Sequence, residues 1–373
     1  MNHLSQESRS QPEKPIRVLI VEDSKVVQEF LTHIVESDAR LEVAAVVATA
    51  EDALRRLPSL RPDVVSMDIR LPGMNGFEAT KQIMSRRPTP IVVVAASVQS
   101  DDLNISMNAL KAGALSVVEK PPGARHQDYA QLASRLCTQL AIMSQVKVVR
   151  QRFNRHPANS SDGLLSGPVF DSHSEHRTSS TNIAMVGIVS STGGPRALQQ
   201  LCAALPSDFP VPIVVVQHIT PSFQAGFVSW LNDLSPLPVR TAQHHETAQP
   251  GTVYIAPAGY HLHVDGARFR LSRETSPAAE LPSGTVLLSS MADSLGSQAM
   301  GVVLTGMGDD GAKGLLHIRE AGGITLAEDE STTVVFGMPA AAIRLDAVTE
   351  ALPLWAIPTR IVEAVCRTEE VTR

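Results

Sequence analysis

The stretch that decides how this chain is read runs Ile183-Ala-Met-Val-Gly-Ile-Val189, then Ser190-Ser191-Thr192-Gly193-Gly194, then Pro195-Arg-Ala-Leu-Gln-Gln-Leu-Cys-Ala-Ala-Leu205. The first part is an apolar run that reads as a buried strand, and the last reads as a helix with proline in its first turn. A serine on a tight strand-to-helix turn carries its hydroxyl out at the carboxyl edge of a sheet. The glycines admit other atoms, and the first amides of the helix stand where negative charge would develop. This geometry suits a nucleophile attacking an acyl carbon. A phosphate-binding loop or a plain glycine-rich turn has the same local pattern, so the stretch alone leaves all three readings open.

Two later strand ends narrow the choice. Val211-Pro-Ile-Val-Val-Val-Gln217 is a second apolar strand, with His218 just past its end. Ala299-Met-Gly-Val-Val-Leu-Thr305 is a third, followed by Gly306-Met-Gly-Asp-Asp310-Gly311. In a parallel sheet these ends share one edge, where α/β proteins place their ligands. Ser191, His218 and Asp310 are then the parts of a nucleophile, a base and an orienting carboxylate. The chain order Ser, His, Asp differs from the Ser, Asp, His order of α/β-hydrolases, so the scaffold is a different one.

The N-terminal half carries an independent signal. Ile16-Arg-Val-Leu-Ile-Val21 ends at Glu22-Asp23, Asp63-Val-Val-Ser-Met67 ends at Asp68, and Leu115-Ser-Val-Val-Glu119 ends at Lys120-Pro121. Three carboxylates and a lysine gather at one sheet edge. Oxygen ligands in that number suit Mg²⁺, and the metal and the lysine would offset charge on a phosphoryl group arriving at Asp68. The plainer reading is that these acids only cap helices, since Asp23-Ser24 is a good helix start.

Five motifs in order, Ser-Thr-Gly-Gly-Pro195, Val-Val-Gln-His218-Ile, Tyr254-Ile-Ala-Pro257, Leu-Thr-Gly-Met-Gly-Asp-Asp310-Gly and Val335-Phe-Gly-Met-Pro339, resemble the bacterial chemotaxis protein-glutamate methylesterases over residues 183–365. The resemblance implies hydrolysis of glutamate γ-methyl esters on methyl-accepting chemoreceptors, with release of methanol, and deamidation of receptor glutamines. Carried over by position, Ser191 matches the nucleophile, His218 the base and Asp310 the acid. Asp309 does not match the acid, and Thr192 and the Met307 amide match the oxyanion-stabilising groups. Residues 15–123, with Met67-Asp68-Ile-Arg-Leu-Pro72 and Met74-Asn-Gly76, resemble the receiver domain of response regulators. That implies phosphorylation of Asp68 by a chemotaxis histidine kinase, Lys120 as a switch residue, and Mg²⁺ held by Glu22, Asp23, Asp68 and the Arg70 carbonyl.

The chain departs from these patterns at three places. Val189 stands where the methylesterases usually have glycine, and a β-branched residue tolerates a strained turn poorly. Leu281-Pro-Ser-Gly-Thr285 replaces an Arg-Pro-Ser-Val-Asp-like stretch, which bears on substrate contact. In the receiver, Ala95-Ala96 precedes Ser97 where a switch Ser or Thr is usual, so a weakened coupling of phosphorylation to conformation is expected unless Ser97 moves in.

Length and composition agree with this organisation. The chain has 373 residues, enough for two or three domains at ~150 residues each. The predicted fold class is α/β: two doubly wound parallel-sheet domains, a flavodoxin-like receiver and a Rossmann-like methylesterase, joined by a flexible linker. The expected divisions are a disordered tail over 1–14, the receiver over 15–123, a helix from Gln127 and linker over 124–181, and the catalytic domain over 182–370. The net charge of −6 gives no reason to expect nucleic-acid binding. A DNA-binding regulator would need a helix-turn-helix and a basic face, and neither is visible. No apolar run reaches ~18 residues and no signal segment begins the chain, so a cytoplasmic monomer without membrane insertion is expected. The three cysteines, Cys137, Cys202 and Cys366, have neither disulfide nor metal spacing. His156, His173, His176, His244, His245, His261 and His263 read as solvated or structural rather than as ligands. A response regulator whose output domain only binds a ligand or partner is the alternative function.

Overall fold

Parallel strands are covered on both faces, so each must be apolar along its whole length. The computed structural model describes residues 14–95, 109, 112–121, 129–146, 148, 183–273 and 281–366, and the chain divides into two compact units. In the first, β1 (Ile16–Val21), β2 (Leu41–Val47), β3 (Val64–Met67), β4 (Ile91–Ala95) and β5 (Ser116–Glu119) form a sheet in the order β2-β1-β3-β4-β5. Every pairing is parallel. This is the expected flavodoxin-like order, whose switch point lies between β1 and β3. Val18–Val21 and Ile91–Val94 are at most 1% exposed.

Helices Lys25–Glu36, Ala50–Leu60, Gly76–Arg86 and Tyr129–Ser144 bury Leu31, Ala53, Ile83 and Leu140 among other apolar residues. Two of them start on side-chain caps. Thr49 accepts from the Asp52 amide, and Asn75 accepts from the Phe77 and Glu78 amides. The helix expected from Gln127 runs over Tyr129–Ser144. Ser97, the linker histidines, residues 1–13 and the segment 151–182 lie outside the described residues.

The second unit holds β6 (Met185–Ser190), β7 (Ile213–Gln217), β8 (Val239–Thr241) and β9 (Val253–Ile255). A two-stranded antiparallel hairpin of β10 (His261–Asp265) and β11 (Arg268–Ser272) follows, and then β12 (Ala299–Val303), β13 (Ile324–Glu328) and β14 (Glu350–Leu352). The main sheet is parallel throughout, in the order β14-β13-β12-β6-β7-β9-β8. The chain begins at β6, builds outward through β7 to the β8 edge, and returns to β12 on the other side of β6. The connections leave β6 and β12 in opposite directions, which opens a crevice at their carboxyl ends. The doubly wound sheet is as expected, with the edge pair β9 and β8 inverted relative to simple sequential order. Among the described residues, no helix is long and apolar enough to cross a membrane.

Candidate active site and phosphoacceptor site

Three strand ends meet at the crevice. Val189 pairs with Val216 on one side and Val303 on the other, and Ser190 pairs with Gln217. Ser191 and His218 are therefore the next residues along neighbouring strands, whose backbones run ~4.8 Å apart. The His218 amide donates to the Ser190 carbonyl at 3.0 Å, and the Ser191 amide donates to the Thr305 carbonyl at 3.1 Å. The turn after Ser191 needs the left-handed region at Gly193, where φ is 82°. A side chain on Gly306 would press on Ser191, because its Cβ would lie 2.9 Å from the serine Cβ.

The two adjacent serines have different surroundings. Ser190 is fully buried and its hydroxyl donates to Gln217 Oε1 at 2.7 Å. Ser191 is partly exposed at the crevice. The Gln217 amide group donates to both the Ser191 and His218 carbonyls at 2.9 Å. Thr305 ties the third strand end in place. Its hydroxyl donates to the Thr192 carbonyl at 2.9 Å, and its amide donates to Glu328 at 2.9 Å.

Asp310, not the exposed Asp309, reaches the histidine. His218 Nε2 lies 2.9 Å from Asp310 Oδ2. The carboxylate sits on the N-terminus of the helix Gly284–Leu295, where unpaired amides and the helix dipole favour an anion. It accepts from the Ser283 hydroxyl at 2.8 Å, the Gly284 amide at 2.5 Å and the Thr285 amide at 2.9 Å. Burial alone would raise the Asp310 pKa. The hydrogen bond and charge of His218, with the Thr285 and Gly284 amides, outweigh it and hold the carboxyl well below the usual carboxylate range. Met307 is half exposed beside the site. Among the described residues its amide has no acceptor, which leaves a donor for negative charge.

Two of the sequence departures turn out to touch each other. Val189 lies within the regular strand β6, so the strain expected of a β-branched residue does not arise; the positive φ falls at Gly193 instead. A Cβ on Gly284 would lie 2.2 Å from Val189 Cγ1, so the valine occupies the room that a side chain at 284 would need. The stretch Leu281–Thr285, expected to bear on substrate contact, builds the seat of the acid. Ser283, Gly284 and Thr285 all bond Asp310, and the Thr285 hydroxyl also accepts from the Gly311 amide at 2.8 Å. Sequence reasoning missed these groups and Gln217. The available signals were a serine in helix-capping position at 283 and a polar residue closing the apolar run at 217.

In the first unit, Glu22, Asp23 and Asp68 each offer a carboxylate oxygen, and these atoms lie within 4.8 Å of one another. Glu22 and Asp68 are buried. Lys120 Nζ lies 2.7 Å from Glu22 and 3.4 Å from Asp68. Burial raises the Glu22 pKa and the Asp68 charge adds to it, against the Lys120 ammonium. Such a crowded acidic set fits a divalent cation. Helix capping does not account for it, because the Ser24 side chain makes no capping bond and its amide turns back to Glu22 at 3.3 Å. Ala95 closes β4, and its carbonyl accepts from the Lys120 amide at 2.7 Å.

Three described histidines outside the site are engaged locally. His261 Nδ1 accepts from the Ser283 amide, His263 Nε2 meets the Ser272 hydroxyl, and His244 Nδ1 accepts from the Leu271 amide. Burial pushes the Cys137 thiol up to about 11 and Cys202 up to about 12, so both are inert, while Cys366 is exposed.

Three carboxylates and a lysine at the switch point of one sheet, with Ser191, His218 and Asp310 at that of the other, are the arrangement expected of a response regulator with a hydrolase-type output domain. A model of the response regulator receiver domain matches residues 18–127, and one of the CheB methylesterase matches residues 186–361. Protein-glutamate methylesterase/protein-glutamine glutaminase 2 of Paramagnetospirillum magneticum is 54% identical over 348 residues, covering 93% of this chain and 97% of that protein. The protein-glutamate methylesterase/protein-glutamine glutaminase of Nitrosospira multiformis is 40% identical over 356 residues, covering 95% and 98%. The crystal structure of the Thermotoga maritima CheB methylesterase catalytic domain is 39% identical, with a TM-score of 0.47, and spans 48% of this chain and 98% of that one. The chain belongs to the protein-glutamate methylesterase/protein-glutamine glutaminase family, and it carries that family's receiver domain.

Proposed function

We propose that this protein hydrolyses glutamate γ-methyl esters on methyl-accepting chemoreceptors in the cytoplasm, deamidates receptor glutamines at the same site, and is controlled by phosphorylation of Asp68. The observation that carries this reading is the 2.9 Å contact of His218 with an Asp310 carboxylate seated on a helix N-terminus, one strand from Ser191. Ser191 Oγ attacks the ester carbonyl and His218 takes its proton. Asp310 engages Nε2, so Nδ1 is the nitrogen that serves the serine. The Met307 amide and Thr192 meet the oxyanion. His218 then returns the proton to the leaving methanol, or to ammonia from a glutamine. Water attacks the acyl-enzyme with His218 again as base, and the glutamate leaves. Asp310 stays ionised throughout and fixes the imidazole tautomer.

In the receiver, Glu22, Asp23, Asp68 and the Arg70 carbonyl would hold Mg²⁺, which supplies charge neutralisation for phosphoryl transfer. Lys120, now paired with Glu22, would turn to the phosphoryl oxygens. The phosphodonor is a chemotaxis histidine kinase. The test is methanol release from membranes bearing methyl-labelled chemoreceptors. The purified wild type releases methanol and Ser191→Ala does not; release that is unaffected by Ser191→Ala overturns the reading.

A further inference from the structure

The β6–β7 ladder ends where the chemistry begins. Its last backbone bond runs from the His218 amide to the Ser190 carbonyl at 3.0 Å. Beyond it, one chain turns into the helix Gly194–Ala203 and the other runs on to the helix Pro221–Leu234. No backbone bond joins Ser191 and His218. The side chain of Gln217 spans that gap. Its Nε2 group donates to the Ser191 carbonyl and the His218 carbonyl, each at 2.9 Å, and its Oε1 accepts from the Ser190 hydroxyl at 2.7 Å. Both amide hydrogens are used, and the residue is only 2% exposed, where a hydrogen bond is electrostatically stronger than in water. The seat is shaped around it, since a Cβ on Gly194 would lie 2.1 Å from Oε1.

We infer that Gln217 is a positioning residue for the nucleophile and the base together. It touches neither substrate nor the reacting atoms. It fixes the peptide planes on which Ser191 and His218 are mounted, and so the directions of their Cα–Cβ bonds. The chemistry of the seat selects an amide. Two carbonyls require two donors from one group, and the serine hydroxyl requires an acceptor on the same group. A carboxylate supplies only acceptors, and an aliphatic side chain supplies neither. The inference rests on the assignment of Ser191 and His218 as the reacting pair.

The test uses the full-length protein with Gln217→Glu, which keeps the shape but removes both donors, and Gln217→Met, which keeps the length without polar atoms. Steady-state methanol release from methyl-labelled receptor membranes is measured beside thermal melting and the rate at which a fluorophosphonate labels the serine. Both variants melt cooperatively and lose kcat by about 10²-fold, the scale of a ~1 Å misplacement of reacting groups. KM stays within about threefold and serine labelling slows in parallel. Folded variants with wild-type kcat, a change in KM alone, or unfolding of both variants overturn the inference and leave Gln217 with a structural role only. Ser191→Ala separates the two claims. If it is inactive while both Gln217 variants run at the wild-type rate, the positioning role fails and the triad stands. If it remains active, the triad fails and the positioning role with it.

Discussion

Ser190 and Ser191 are neighbours with opposite surroundings, because successive residues at a strand end face opposite ways. Ser190 is turned into the sheet against Gln217, while Ser191 reaches the crevice. Ser191→Ala should lower ester hydrolysis by about 10⁴-fold or more, whereas Ser190→Ala, which removes one neutral hydrogen bond, should cost less than about tenfold. Methyl ester hydrolysis by both folded variants checks this, and a dead Ser190→Ala beside an active Ser191→Ala would shift the register by one residue. Asp310 makes a second claim. Its folded pKa lies below its unfolded value, so its stabilising effect is complete above the ordinary carboxylate range and is lost only as pH falls through the depressed value. It therefore stays ionised through the neutral range, and a kcat/KM profile should show no loss of activity from protonation of Asp310 there; a carboxylate ionisation within that range would contradict this. The candidates Ser191, His218 and Asp310 could be picked out in the sequence because Ser191 and His218 directly follow apolar strands and Asp310 lies in the turn after a third. The seat of the acid was not. Ser283, Gly284 and Thr285 lie 25 to 27 positions before Asp310, and nothing local couples them to it.

At the scale of elements, the strand β6 and the helix Gly284–Leu295 are fitted by a reciprocal choice of size. Gly284→Ala should force the helix off Val189, cost roughly 1–3 kcal/mol of stability and slow hydrolysis by moving an amide away from Asp310. Val189→Gly in the same chain should restore much of both, so a thermal-melting and kcat cycle over the two sites should show strong coupling; additive effects would contradict the fit. In the receiver, Ala95 brings no hydroxyl to the end of β4. Ala95→Thr should widen the ratio of phosphorylated to unphosphorylated esterase activity, and an unchanged ratio would place the coupling elsewhere. The apolar strands β1, β3, β6, β7 and β12 were readable because burial on both faces demands unbroken hydrophobic runs. Strands β8, β9 and β14 have three residues each, too few to show a period, and the inversion of β8 and β9 at the edge depends on pairings far apart in the chain.

At the scale of the whole molecule, one chain carries two carboxyl-edge sites of different chemistry, one proposed to accept a phosphoryl group and one proposed to cleave an acyl bond. The presence of two α/β units was legible from length and from two sets of strand ends. Acetyl phosphate should label the wild type in Mg²⁺, but not Asp68→Asn and not the wild type in excess EDTA; equal labelling of the variant would remove Asp68 as the acceptor. The claim that the two sites form one regulated enzyme is tested most directly by methanol release from methyl-labelled receptor membranes with and without acetyl phosphate and Mg²⁺, for wild type and Asp68→Asn side by side. Acetyl phosphate should raise release by the wild type and leave Asp68→Asn at its basal rate. No rise in the wild type, or the same rise in the variant, would contradict it.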